Sequence, residues 1–218
     1  MSTRQDFDKL KDEFALWLLL CKLKQMGFQT QRLKLQKLVY LMDVFGTLLS
    51  RKPTSYTFRV YKLGPFSKEI YSDIERLVSI DAVKANGVEN WEPDQDRSFE
   101  YEIEYEEPRV SKSNIILQRP EFNVIRKTVE LVVQTAGYMS GVEIRKLVYS
   151  EPNYVKAKQE GFGSTISPQY SFVIQFKEMS KKLSSQEFGI DLNDEEVLWL
   201  YLNFMRSMNP KNHAVVAE

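Results

Sequence analysis

At 218 residues with 43% hydrophobic side chains the chain is long enough to bury a core, so disorder is not the expected state. Thirty basic and thirty acidic residues cancel, so the total charge predicts no non-specific affinity for nucleic acid. One Cys and one His, Cys21 and His213, cannot supply a tetrahedral metal site, an internal disulfide, or a nucleophile with a placed histidine base.

Other chemistry is excluded with similar economy. Neither the P-loop pattern nor the dinucleotide-binding glycine pattern occurs, so no cofactor is expected and no catalytic residue is assigned. The longest apolar run, Phe14–Cys21, is too short for a bilayer, and the mixed-charge N-terminus lacks the form of a secretory signal. A cytoplasmic, non-membrane protein is the expectation.

In chain order, the spacing of Leu10, Phe14, Trp17, Leu18 and Cys21 predicts a first helix over about 7–26, ended by Gly27. Thr30 can cap a second helix to about Phe45, stopped near Gly46. Its apolar residues fall on more than one side, which predicts a central position. Tyr56–Tyr61 alternates as a strand; Gly64 and Pro65 turn the chain, and Ser67 can cap a third helix to about Val78. Further strands are expected at Ala82–Ala85 and Phe99–Tyr105, the latter alternating aromatic or Ile with Glu100, Glu102 and Glu104.

After a connector at 111–119, a helix follows to Ala136 with Phe122, Ile125, Val129, Val132 and Val133 inward. Ser140 with Glu143, and Asn193 with Glu196, form capping-box patterns for later helices. The stretch 151–163 reads as broken by Pro152, Gly161 and Gly163. A helix from Ser167–Pro168 to about Leu183 is expected to carry Phe172, Phe176, Met179 and Leu183 on one face.

The fold expectation is therefore α+β and mostly helical. It comprises a winged-helix-like part over 1–110 with a small antiparallel β-ribbon, a helical part over 111–210, and a disordered tail over 211–218. The large apolar residues of the last two helices are expected to cover the core or to make a homodimer contact.

Two strings, K-L-Q-K-L-V-Y at 34–40 and Y-K-L-G-P-F-S-K-E-I-Y at 61–71, with a strand between them, resemble the phage-associated SocA-like antitoxin domain, also called Panacea. A third string, Leu147–Ala157, is similar to that family's threonine-histidine and downstream tryptophan segment, with Tyr149 at the histidine place and Tyr154 as the aromatic. The likeness spans roughly Leu10 to Gly161. It implies a non-catalytic protein that neutralises a toxin by binding it, or that presents a bound protein for proteolysis.

Within those two strings, Lys34, Gln36, Lys37, Tyr61, Lys62 and Tyr71 form the candidate partner-binding set that the resemblance implies, and Gly64, Pro65 and Ser67 a structural turn. Backbone hydrogen bonding is the favoured role for Gln36. Charge is divided locally. Lys22–Lys62 holds nine basic residues against Asp43, and Glu89–Glu107 nine acidic residues against Arg97. A basic first half suits a winged-helix DNA-binding regulator, the second reading. The acidic ribbon, Glu100, Glu102, Glu104 and Glu106, opposes it, because phosphates would repel a carboxylate-rich wing. Protein is thus the expected partner and DNA the second choice.

Overall fold

A computed structural model describes residues 5–87, 99–102, 122–167 and 172–207. It is mostly helical with small antiparallel sheets. Helix α1 spans Asp6–Gln25 and α2 Arg32–Leu48; strands β1 (Phe58–Tyr61) and β2 (Gly64–Phe66) lead into α3 (Lys68–Ser79). A ribbon of β3 (Lys84–Gly87) and β4 (Phe99–Glu102) follows. Next come α4 (Asn123–Ala136), α5 (Gly141–Tyr149), α6 (Pro152–Glu160), β5 (Thr165–Ile166), α7 (Phe172–Phe188) and α8 (Asp194–Ser207).

Helix α2 is the axis of the molecule. Fourteen of its seventeen residues are buried, and α4, α5, α7 and α8 all pack on it. A helix apolar on several sides has to be surrounded to be stable, which is the central position its pattern predicts. Gly46 lies inside this helix instead of ending it. A Cβ there would fall 2.2 Å from Pro53 Cδ and 2.4 Å from the Arg51 carbonyl oxygen. The glycine is thus a packing residue that lets the returning loop press on the helix.

Helix α1 buries more than one narrow stripe. Leu16, Leu19, Leu20 and Leu23 are fully enclosed with Leu18 and Cys21, whereas Leu10, expected inward, is exposed because it precedes the region that α3 and α4 cover. Two buried acids on α1 fasten neighbouring segments. Asp12 accepts from the Ser55 amide at 2.8 Å and from its hydroxyl, and Glu13 pairs with Arg76 of α3 at 3.2 Å.

The β1–β2 hairpin corrects one sequence expectation. Gly64 and Pro65 lie within β2, and the two-residue turn is Lys62–Leu63, with Tyr61 opposite Gly64 and Val60 opposite Pro65. The third strand of this sheet is β5, giving the order β2-β1-β5. Residues 165–166 thus complete a sheet begun at residue 58, and helices on both sides of the 103–121 segment contribute to one hydrophobic core.

The described part of the ribbon is tied to the helical body. The Tyr101 amide donates to the Thr30 carbonyl at 3.1 Å, and its ring is half-buried against the core. Lys84 faces Glu102 and Asn86 faces Glu100 across the pair. Glu104 and Glu106 lie outside the described residues, as does the tail that carries His213.

Pro152 opens α6 at its first position and does not break it. The missing proline N–H is no loss there, and the Glu151 side chain caps the helix by accepting from the Tyr154 amide at 3.0 Å. Both predicted capping boxes form. The Ser140 hydroxyl accepts from the Glu143 amide, whose side chain accepts from the Ser140 amide. Likewise Asn193 Oδ1 accepts from the Glu196 amide at 3.0 Å while Glu196 accepts from the Asn193 amide at 2.8 Å. Val197, Leu198 and Tyr201 of α8 and Val173 of α7 enter the core, but Met179 and Leu183 point outward, so α7 is covered only along its first half. No described helix is long and apolar enough to cross a membrane.

Candidate functional site

The segments 34–40 and 61–71 meet in space. β2 is an edge strand, and an edge leaves backbone donors and acceptors unpaired. Here side chains from α2 supply the missing partners. Gln36 Nε2 donates to the Ser67 carbonyl at 2.9 Å while the Ser67 amide donates back to Gln36 Oε1 at 3.0 Å, the reciprocal pattern of a paired strand residue. Lys37 Nζ donates to the Pro65 carbonyl at 2.8 Å, and from α5 the Tyr149 hydroxyl donates to the Lys62 carbonyl at 3.2 Å.

Gly64 makes this clamp possible. Its φ is +100°, a conformation side chains disfavour, and an added Cβ would lie 2.9 Å from Tyr149 Cε1 and 3.2 Å from Lys37 Cε. The lysine stem and the tyrosine ring occupy the space that any other residue would need. Burial holds the Lys37 ammonium down to about 7, with the Arg145 guanidinium adding to the effect.

With its back fixed, the hairpin presents its other face to solvent. Arg59 and Tyr61 alternate outward on β1 while Phe58 and Val60 point to the core. Tyr61 stacks on Phe66 of β2 with centroids 5.0 Å apart, and on its other flank meets Phe162, just before β5, at 5.1 Å. Phe66 in turn packs edge-on against Tyr71 of α3 at 5.4 Å, and the Arg32 guanidinium sits 3.6 Å from the Tyr71 ring centre. The result is a row, Phe162, Tyr61, Phe66, Tyr71, with Tyr61 46% and Phe162 66% exposed.

Tyr149 stacks on Tyr154 at 5.2 Å, and Lys158 Nζ lies 5.5 Å from the Tyr149 ring centre, extending the aromatic and basic character beyond the turn. The sheet edge is closed and the aromatic face is open. Such a surface can bury apolar groups and hold anions, but the described residues place no nucleophile beside a base on it.

The six candidate partner-binding residues thus divide. Tyr61 and Lys62 are exposed and Tyr71 is half-buried, together in or beside the row. Lys34, Gln36 and Lys37 are buried, so they are not part of an accessible surface. Lys34 caps α4 by donating to the Gly137 carbonyl at 2.6 Å, and burial lowers its ammonium as well. Ser67 occupies the position before α3, but its hydroxyl donates to Glu69 Oε2 at 2.6 Å, leaving the helix without a side-chain cap. Sequence reasoning passed over Phe66, Phe162 and Arg59. Phe66 lies in the second string, and Phe162 sits between two glycines in a G-F-G loop, where a large aromatic has nothing local to pack on.

A second polar cluster fixes the last helix. Glu151 is fully buried and accepts from the Tyr40 hydroxyl, Asn153 Nδ2 at 2.9 Å, the Tyr154 amide at 3.0 Å and the Tyr201 hydroxyl at 3.4 Å. Burial raises the carboxyl despite these donors and drives both tyrosines well above their usual range. Its role is architectural, joining α2, α6 and α8. Among the described residues no group of three His, Cys, Asp or Glu is placed to hold a metal ion.

Compared with models of known protein families and with curated proteins, the chain finds no match.

Proposed function

We propose that this chain is a non-catalytic protein-binding module, antitoxin-like or adaptor-like, that engages its partner through the Phe162–Tyr61–Phe66–Tyr71 face. The observation that carries this reading is the row of four aromatic side chains, Tyr61 and Phe162 exposed, centred on a hairpin whose β2 edge is closed by Gln36, Lys37 and Tyr149. Large aromatics on a rigid support contribute most to protein interfaces, because they bury area at little cost in side-chain entropy. The likeness of the 34–40 and 61–71 strings to the SocA-like domain supports a toxin as the partner. It also gives the clamp a purpose: the shared residues hold the hairpin while the outward ones meet the partner.

DNA is the second reading, favoured by the exposed Arg59, Lys62 and Lys158. Two features weigh against it. A backbone hydrogen bond from Tyr101 to Thr30 holds strand β4 against the helical body. Tyr61 already packs against Phe66 and Phe162, which restricts base stacking on its ring.

The test is affinity capture with the tagged full chain from its native host, followed by reconstitution with the purified partner and calorimetry. The Tyr61→Ala/Phe162→Ala double variant is expected to lose at least about tenfold in affinity, roughly 1.4 kcal/mol. Trp199→Ala, at an exposed aromatic on α8, serves as the control and is expected to match the parent. A stoichiometric partner held equally by the double variant would overturn the reading, as would a specific DNA duplex protected by the parent and by no protein partner.

A further inference from the structure

Several cations elsewhere on the described surface have acids beside them. Arg76 pairs with Glu13, Lys52 with Asp43, Lys127 with Glu195, and Lys177 and Lys181 both with Asp194. The cations around the aromatic row are not paired in this way. Arg59 lies opposite Phe66 and next but one to Tyr61; its only hydrogen bond goes to the Gly163 carbonyl at 3.2 Å. Lys62 is exposed at the hairpin turn, held only through its carbonyl by Tyr149. Lys158 lies over the Tyr149 ring, and Arg145, half-buried on α5, is close enough to add to the depression of Lys37. None of these four is within ion-pair distance of a described carboxylate. On the same flank the exposed acid is Glu160, while Glu69 is engaged by Ser67.

Arg59, Lys62 and Lys158, exposed and without an ion pair to a described carboxylate, bias this face toward positive potential, with Glu160 as the exposed acid beside Lys158. Such a face suits a ligand that brings carboxylates to Arg59, Lys62 and Lys158 and apolar groups to the rings between them. Nucleic acid would bring phosphates, but Tyr61 already packs against Phe66 and Phe162, which leaves Phe162 as the ring most open to a base. We infer that the row receives an acidic segment of a partner protein, one in which carboxylates alternate with apolar side chains so that the apolar groups meet Phe162, Tyr61 and Phe66 while the carboxylates meet the flanking cations. This assignment rests on the proposed use of the face and adds the chemistry of what fits it. Strand addition at β2 is not the mode, because Gln36 and Lys37 already fill that edge.

The experiment uses the full chain and a fluorescent peptide of six Glu-Leu repeats, read by anisotropy, with the Gln-Leu and Lys-Leu peptides as comparisons. Binding of the Glu peptide is expected to exceed the other two by at least about tenfold and to weaken as salt rises, since exposed charges are screened over roughly 8 Å at physiological ionic strength. Two variants locate the contact. Arg59→Gln/Lys62→Gln/Lys158→Gln should weaken the Glu peptide by at least tenfold with unchanged thermal stability, and Tyr61→Ala/Phe162→Ala should do the same at all salt concentrations. Equal binding of the Gln peptide overturns the acidic assignment while leaving the aromatic face in use. Unchanged binding in both variants, or no binding of any peptide, overturns the assignment outright. Sedimentation showing that the aromatic variant abolishes a parent dimer would make a second copy the occupant, and a thymidine oligonucleotide displaced by the same variants would make it nucleic acid; either also overturns it. The native partner captured from the host tests the face itself, so the two readings fail separately.

Discussion

Replacing Lys37 by Met should reverse sign with pH. Met keeps most of the lysine stem volume and removes the amine. In the folded chain Lys37 titrates near 7 against an ordinary value of 10.5. At about 1.4 kcal/mol per tenfold, that difference makes burying the charge cost about 5 kcal/mol. Between these two values the unfolded chain binds one more proton than the folded chain, so stability rises with pH across the window. Below about pH 7 the folded chain carries the full cost, which the variant avoids. Against that, the variant leaves the Pro65 carbonyl without a donor, a loss of about 1–3 kcal/mol. Net, Lys37→Met should be more stable than the parent by about 2–4 kcal/mol near pH 6. Near pH 10 the order should invert, because the neutral amine still donates to Pro65 and most of the charging cost is gone. Urea unfolding of both proteins over this range, compared as a difference, cancels contributions from other groups. A difference that stays constant within about 1 kcal/mol would refute the claim that a buried ammonium closes the β2 edge.

Other substitutions test neighbouring parts of the account. Gly64→Ala must place a side chain at φ +100° and 2.9 Å from Tyr149, and urea unfolding should show a loss of about 1–3 kcal/mol. Asp43 is held up to about 7 chiefly by burial, although Thr54 and Lys52 pull it down. A raised acid binds its proton more tightly when folded, so the parent should lose stability relative to Asp43→Asn as pH rises from about 4 to about 7, which thermal melts across that interval will show. Tyr201→Phe removes one donor from buried Glu151, and the melting temperature should fall in step with a loss of about 1 kcal/mol.

Much of the fold could be read directly from the residues. The inward positions of α4, the central place of α2 and both capping boxes follow from periodicity and from the reach of Ser, Asn and Glu side chains. What periodicity missed has local causes. Pro152 reads as a breaker because the rule that admits proline at a first helical position depends on what precedes it, and here Glu151 does the capping. Gly46 reads as a stop because its need arises from Pro53, seven residues on, which no helical pattern contains. The β5 pairing joins residues more than a hundred apart, and nothing in a two-residue strand announces it.

For the site, Tyr61 and Lys62 lie on the accessible surface as expected, and Gln36 was legible as a backbone partner. Lys34 and Lys37 were misplaced because a lysine on a helix is ordinarily solvated. The facing carbonyls of Gln29 and Gly137 for Lys34, and of Pro65 for Lys37, make their burial tolerable. The row itself depends on Phe162 arriving from the far end of α6. Its membership is tertiary and could not be deduced from spacing.

The central claim is that the clamped hairpin exists to present the aromatic face to a protein. Calorimetry of the reconstituted complex, comparing the parent with Tyr61→Ala/Phe162→Ala at matched thermal stability, tests it most directly. The account predicts at least about tenfold weaker binding for the variant, with Trp199→Ala indistinguishable from the parent. Equal affinities for parent and double variant would contradict it.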